Sequence, residues 1–541
     1  MAETIPIVDL FAGPGGLGEG FSSLRTLAGH PVFRVALSIE MDQAAHRTLE
    51  LRSFFRQFAD ATVPDEYYLH LQGLLSRDEL FEKYPVHSSK AKSEAWNAEL
   101  GKVDPTEVDR RITSALAGAP FWALCGGPPC QAYSVIGRSR NGGIRAKDHR
   151  VYLYREYLRI IAVHRPPLFI LENVKGLLSS KVGSNGIFKQ MMTDLGQPQH
   201  AVGLRSRSPI RYHLYSLVVP PKTRSTDGPE FDYRDFIIKC EDYGIPQSRH
   251  RVILLGVRED LSSTEIPTLV ASGQQVPVAQ VLRGLPRLRS GLSRTKDGRE
   301  EWRQALAGIV TSGALGSIPN GKGAELRSDI SWTLGRIRDA RADRGGEFVT
   351  CKPTSEYRPD WYCDERIGGI CNHASRPHMK EDLYRYLFVA CYARMYGRSP
   401  ELRDFPRALL PNHKNVLDKD KEKYFDDRFR VQLIDKPATT IVSHIAKDGH
   451  YYIHYDETQC RSLTVREAAR LQTFPDNYLF CGSRTEQYVQ VGNAVPPLLA
   501  VQIAEVVARM LRRHLASKDP TYNSAEWRLS LTTARPVEVG C

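Results

Sequence analysis

Ile5-Pro6-Ile7-Val8-Asp9-Leu10-Phe11-Ala12-Gly13-Pro14-Gly15-Gly16-Leu17-Gly18 is the stretch on which the reading of the chain turns. Ile5–Leu10 is a short apolar run closed by a glycine cluster, the pattern of a buried strand. Gly13, Gly15 and Gly18 follow with the spacing G-x-G-x-x-G, after the strand and ahead of a helical pattern. Glycine at these places permits a tight turn and close approach of a ligand to the backbone. A second apolar run, Phe33–Ile39, ends at Glu40, where a carboxylate meets ribose hydroxyls in nucleotide-binding folds. A dinucleotide and S-adenosylmethionine both carry an adenosine that needs such a pair, and the motif by itself does not choose. Phe11 fits an adenosine contact or a buried aromatic equally well.

Further along, Phe121–Cys125 and Leu168–Leu171 are short apolar runs with a helical pattern between them over Tyr152–Val163. Tyr212–Val219 and Val252–Val257 read as later strands. Strands alternating with helices predict an α/β fold with a parallel, Rossmann-like sheet and crossover helices. Residues 61–119 are polar and helical in pattern, too long for a simple connection, and read as an insertion. From about 260 the character changes. Gly, Arg, Pro and Ser rise and periodicity weakens, which predicts an inserted, irregular domain over 261–434. Order returns over 435–516, with helical spacing at Leu463–Leu471 and an amphipathic helix at Leu498–Leu515 that closes beside the first strand. Residues 517–541 read as a flexible tail.

The 541 residues, 41% hydrophobic, are enough for two or three cores. No run of 18 apolar residues suggests a membrane span, and the start of the chain lacks a signal-peptide pattern. Ten scattered Cys fit a reducing cytoplasm. The net charge of +12 suits a polyanionic partner. Between Arg283 and Arg344 there are 13 Lys/Arg against 7 Asp/Glu, half of that excess. Cys351, Cys363, Cys371, His373 and His378 lack a C-x-x-C pair, so no metal is expected there.

Three short segments carry chemistry. Cys130 lies in Gly126-Gly127-Pro128-Pro129-Cys130-Gln131, directly after an apolar run. A thiol on a Pro-Pro turn at the end of a strand is placed at the sheet rim, where ligands bind in open α/β folds. Glu172 ends the run Leu168–Leu171 and so belongs to the same rim. Gln247-Ser248-Arg249-His250-Arg251 sets two guanidiniums two residues apart before a strand, on one side of it. They suit a base carbonyl, phosphates or surface ion pairs.

In order along the chain, these segments resemble the cytosine-C5 DNA methyltransferase family: Asp9–Phe21, Pro129-Cys130-Gln131, Glu172-Asn173-Val174, Gln247–Arg251, Arg461–Pro475 and Gln490-Val491-Gly492-Asn493-Ala494-Val495-Pro496-Pro497. The likeness spans roughly 5–260 and 435–515. It implies a catalytic domain over 1–260, completed by 435–516, and a target-recognition domain over 261–434. It implies S-adenosylmethionine as cofactor, with Phe11, Gly13, Gly15, Glu40, Met41, Asp60, Pro129, Asn493 and Val495 around it. It makes Cys130 the nucleophile, with Glu172, Arg249 and Arg251 holding a flipped cytosine.

The basic, glycine-containing stretch after Cys130 is expected to close over DNA, with Ser134, Ile136 and Arg138 as DNA contacts. The implied partner is double-stranded DNA, met as a monomer in the cytoplasm at the nucleoid. A restriction–modification or other defence role would add cognate defence proteins. A tRNA cytosine methyltransferase and a catalytically idle DNA-binding homologue are the alternatives. Retention of Cys130, Glu172 and both arginines argues against the idle form.

Overall fold

The run Ile5–Leu10 forms β1, and all six of its residues are buried. The structure, a computed structural model, describes residues 4–59, 62–128, 149–179, 181–182, 185–225, 228–261, 265–316, 318–319, 321–339, 343–411, 428–518 and 529. After β1 come α1 (Gly16–Ser23), β2 (Phe33–Glu40), α2 (Gln43–Arg56), α3 (Asp65–Leu71), α4 (Arg77–Lys83), α5 (Pro85–Glu94), β3 (Ala95–Asn97), α6 (Pro105–Leu116), β4 (Ala123–Gly126), α7 (His149–His164), β5 (Leu168–Val174) and α8 (Ile187–Gly196). Then follow β6 (Tyr212–Tyr215), β7 (Ile237–Lys239), β8 (Gln247–Ser248) and β9 (His250–Arg258).

Eight of these strands form one sheet of order β7-β9-β5-β4-β1-β2-β3, with β6 also paired to β9. Neighbours from β5 through β3 are parallel. β9 is antiparallel to β5, β6 and β7. This is a Rossmann-like sheet with an antiparallel edge. Helices cover both faces, which is why β1 reads as a continuous apolar run. Ile5 and Ile7 join one core with α1 and the last helix. Val8 and Leu10 join the other, under α6, α7 and α8. From β1 the chain runs out through β2 and β3, then returns on the other side through β4 and β5. The crevice at the carboxyl ends of β1 and β4 is therefore the switch point where open α/β sheets bind ligands.

Residues 61–119 are not one insertion. Ala95–Asn97 pairs with Ser38–Glu40 as the edge strand β3, and α6 is the crossover from it to β4. Three residues are too few for strand alternation to register in a sequence. Only the helices α3–α5 are added, and they pack on α2 and on Ile367 and Cys371.

The inserted region is more regular than its composition suggests. It contains α9 (Val278–Leu282), α10 (Arg299–Thr311), α11 (Gly323–Asp339), the hairpin β10 (Gly345–Thr350) and β11 (Gly369–Ala374), and α12 (Lys380–Tyr396). Eleven residues of α12, from Asp382 to Ala393, are buried. A helix surrounded by core has no polar stripe, so its 3.6-residue period is hidden. The same core takes in Ile453 and Cys460, beyond residue 434. The short strand β12 (Ala438–Thr439) then pairs with β8, and α13 (Val465–Leu471), α14 (Arg484–Asn493) and α15 (Pro497–Lys518) complete the chain. α15 crosses α1 so closely that a β-carbon on Gly20 would fall 2.4 Å from that of Ala500.

Candidate active site

At the end of β1 the backbone turns through Phe11, Gly13 and Gly15, with φ of 56°, 57° and 96°. A left-handed phenylalanine is costly and persists only where its surroundings impose it. The turn is tied to β2 by its carboxylate. The Gly13 N–H donates to Glu40 Oε2 at 2.8 Å, and the Asp42 N–H donates to Oε1 at 2.8 Å. Burial raises the pKa of Glu40, and the two amides oppose that rise. A carboxylate has about four acceptor positions, so Glu40 keeps capacity for hydroxyls. Asn97 of β3, which sequence reasoning missed, donates to the carbonyls of Glu40 (2.9 Å) and Met41 (3.1 Å). Met41 itself is 58% exposed beside them.

The far end of the chain closes this loop. A β-carbon on Gly16 would lie 2.1 Å from the Val495 carbonyl oxygen. Phe11, Gly13, Gly15, Glu40, Met41 and Val495 thus belong to one rim, with Asn493 exposed two residues before Val495. A β-carbon on Gly13 would meet nothing within 4 Å. The loop faces open space, bordered by an acceptor-rich carboxylate and an exposed thioether. That cradle fits a nucleoside. Beneath it lies Asp9, another residue that sequence reasoning passed over. It is buried, and burial pushes its pKa up to about 7 against the opposing pull of the Gly18 amide.

At the neighbouring rim, Arg251 Nε lies 2.9 Å from Glu172 Oε1, both side chains mostly buried. The other carboxylate oxygen faces the turn after β4. A β-carbon on Gly127 would fall 2.7 Å from Glu172 Oε2. Glu172 is therefore held at the start of the segment that runs on to Pro129 and Cys130. Pro129, Cys130, Ser134, Ile136, Arg138 and Asp60 lie outside the described residues.

Arg249 does not share the environment of Arg251. The strand breaks between β8 and β9 at Arg249, so the alternation that would align the two side chains does not run through. Arg249 is fully buried, and its Nη1 donates to the carbonyls of Ile441 (2.7 Å) and Gly492 (3.3 Å). Its pKa is pushed down to about 9, first by burial and then by Arg251. Such a guanidinium braces the site rather than grips a base.

Gln247 works alongside it. Its Oε1 accepts from the Ile441 N–H at 2.8 Å, and its Nε2 donates to Gln472 Oε1 at 2.5 Å. Thr440 Oγ1 donates to the Ser248 carbonyl at 2.6 Å. The expected motif at 247–251 is thus stitched to three segments distant in sequence.

Three of the side chains that invited a metal reading have protein partners. His373 meets Thr464 Oγ1 and the Pro286 carbonyl, each at 2.9 Å, His378 meets Ser462 Oγ at 3.2 Å, and Cys371 donates to the Leu71 carbonyl. No cluster of three metal-ligating side chains occurs among the described residues. The helical run Arg484–Leu515 holds an 18-residue window apolar enough to cross a membrane by composition, but 89% of that window is buried as core.

A crevice at the switch point, with a nucleoside cradle beside an Arg-held carboxylate, defines a class that comparison with known proteins makes specific. The model of the C-5 cytosine-specific DNA methylase family matches residues 91–202, 228–320 and 347–509. The chain is 32% identical over 526 residues to type II methyltransferase M.Bpa9945I of Bacillus paralicheniformis, covering 94% of this chain and 99% of that one. It is 27% identical over 444 residues to DNA (cytosine-5-)-methyltransferase M.ApeKI of Aeropyrum pernix, covering 76% and 87%. It is 25% identical over 530 residues to type II methyltransferase M.AgeI of Thalassovita gelatinovora, covering 92% and 98%. The chain belongs to the C-5 cytosine-specific DNA methylase family, and the enzyme class expected from its ordered motifs is the class of that family.

Proposed function

We propose that the protein transfers a methyl group from S-adenosylmethionine to C5 of a cytosine flipped out of duplex DNA, by covalent addition of Cys130 at C6. The observation that carries the reading is the carboxyl of Glu172, held by Arg251 on one oxygen and abutting Gly127 on the other. It stands where the turn toward Cys130 begins.

When bound, S-adenosylmethionine supplies an electrophilic methyl on a sulfonium. Glu40 accepts from its ribose hydroxyls, Gly13 and Gly15 let it approach the backbone, and Met41 and Phe11 flank the adenine. Asn493 and Val495 would close that wall, and the family likeness assigns Asp60 and Pro129 to the same cofactor. The Cys130 thiolate forms a bond to C6, and the electron pair of the C5–C6 double bond makes C5 nucleophilic. Glu172 shares a proton with N3 of the base, which stabilises the charge that addition pushes into the ring. Arg251 keeps the carboxyl aimed. C5 takes the methyl as S-adenosylhomocysteine departs; loss of the C5 proton to solvent then re-forms the C5–C6 double bond, and the bond from C6 to sulfur breaks to restore the Cys130 thiolate. Arg249 is a positioning residue for this strand end.

The region 261–434 reads the target, and Ser134, Ile136 and Arg138 close over the duplex. The names of the type II relatives support a restriction–modification role in the cytoplasm.

The test is sequencing of 5-methylcytosine in DNA from cells expressing the chain or its Cys130→Ser variant. Methylation at one recurrent sequence with the unaltered chain and none with the variant is expected. A duplex carrying 5-fluorocytosine, whose fluorine blocks the final elimination, traps an adduct with the unaltered chain alone. Methylation of tRNA with none of DNA, or an adduct on Cys130→Ser, would overturn the assignment.

A further inference from the structure

The helices α3–α5 have no part in the chemistry above, yet they are not free appendages. They share a core with Phe54 of α2 and with Ile367 and Cys371 of the inserted region. A chain of polar contacts crosses the same junction. Asp364, ahead of β11, accepts at Oδ2 from the hydroxyl of Tyr68 (3.0 Å) and from Asn477 Nδ2 (3.0 Å). Asn477 Oδ1 in turn accepts from Arg52 Nη1 at 3.0 Å, and the Asn477 carbonyl accepts from Tyr67 at 3.1 Å.

Arg52 is buried and clamps both oxygens of Glu19, at 2.9 and 2.5 Å. Glu19 belongs to α1, the helix that opens from the glycine loop. The next residue, Tyr478, donates to the Pro14 carbonyl inside the loop itself. One carboxylate of the inserted region is therefore three hydrogen bonds from the helix that follows the glycine loop.

We infer that Asp364 is a positioning residue: through Asn477 it locks the stem of the recognition region to the glycine loop, so that cofactor and DNA bind with positive coupling. The inference rests on the cofactor and DNA assignments proposed above. A stem shifted by DNA moves Asn477, and with it the partners of Glu19 and Pro14. A loop ordered by cofactor resists that shift. Linkage makes the effect equal in both directions. The helices α3–α5 brace this junction through Tyr67 and Tyr68.

The test measures S-adenosylhomocysteine binding to the full chain by calorimetry, with and without unmethylated plasmid DNA. In the unaltered protein, DNA should tighten binding by about 5-fold or more. Asp364→Asn and Asn477→Asp, the second setting two carboxylates at a 3.0 Å contact, should each cut that factor below about 2-fold. Binding without DNA and the melting temperature should stay near their original values. The combined variant Asp364→Asn/Asn477→Asp exchanges donor and acceptor and should recover the coupling, which damage to stability alone would not do. Tyr68→Phe is the mild control should either single variant fold poorly, and it should lower the factor partway.

Single variants with unaltered coupling, or an unaltered protein whose S-adenosylhomocysteine affinity ignores DNA, would overturn the inference alone. A protein that binds no S-adenosylhomocysteine would overturn the cofactor reading and this inference with it.

Discussion

Gly127 and Glu172 approach so closely that any β-carbon at position 127 would stand 2.7 Å from Glu172 Oε2. The carboxyl cannot swing aside without leaving Arg251, 2.9 Å from its other oxygen. Gly127→Ala should therefore lower turnover by about 10- to 100-fold through a misplaced carboxyl, with little change in melting temperature. Glu172→Gln should lower it by about 10²–10⁴-fold, the worth of positioned proton transfer. Methylation kinetics under saturating substrates check both, and full activity in Gly127→Ala would mean that the carboxyl has no fixed station.

The two arginines of the 247–251 segment should fail in different ways. Arg251→Lys loses the Nε that faces Glu172 Oε1 and should depress turnover in a protein that melts normally. Arg249→Met removes the donor for the buried carbonyls of Ile441 and Gly492. Each stranded carbonyl costs about 1–3 kcal/mol, so the variant should lose stability in urea before activity is considered. Equal stability of the two variants would contradict the distinction.

Glu40→Ala should weaken cofactor binding by about 1–3 kcal/mol. The substitution also releases the amides of Gly13 and Asp42, so Glu40→Gln, which keeps one acceptor oxygen, should lose less. Titration calorimetry with S-adenosylhomocysteine separates them. Unchanged affinity in both variants would put the adenosine elsewhere.

Acid should weaken the joint between α13 and the inserted region. His373 and His454 are buried beside Arg461 and Glu467, and burial pushes both imidazoles down to about 4. The unfolded chain takes up these protons near pH 6.5 and the folded chain only near 4. Stability from keeping them neutral is complete above pH 6.5 and is lost as pH falls toward 4, on the order of 3 kcal/mol for each histidine. Urea midpoints at pH 7.5, 6.5, 5.5 and 4.5 should fall along that interval, and less steeply in His454→Gln. A flat profile would refute the assignment.

Much of the site was legible in the sequence because its residues sit where strands end. Glu40 and Glu172 each follow an apolar run, and the glycine loop follows a third, so a one-dimensional pattern marks a shared rim. What stayed hidden depends on partners brought by folding. Asn97 lies on a three-residue strand without readable alternation. The segment at Gln247 and Arg249 stands out in the sequence as a grip on a base, and its bracing role appears only when residues 441, 472 and 492 converge on it. α12 looked irregular because core surrounds it. Asp9 carried no local signal at all, since an acid in an apolar run is noticed only once its burial is known.

The meeting of Gly16 with Val495 and of α1 with α15 has a consequence for the timing of synthesis. The glycine loop is synthesised long before Val495, which forms one wall of its cradle. A growing polypeptide therefore carries the loop and the inserted region while the wall at Val495 is still missing. A polypeptide cut before Val495 should thus fail to bind S-adenosylhomocysteine however well its sheet folds, which equilibrium dialysis of such a fragment would check.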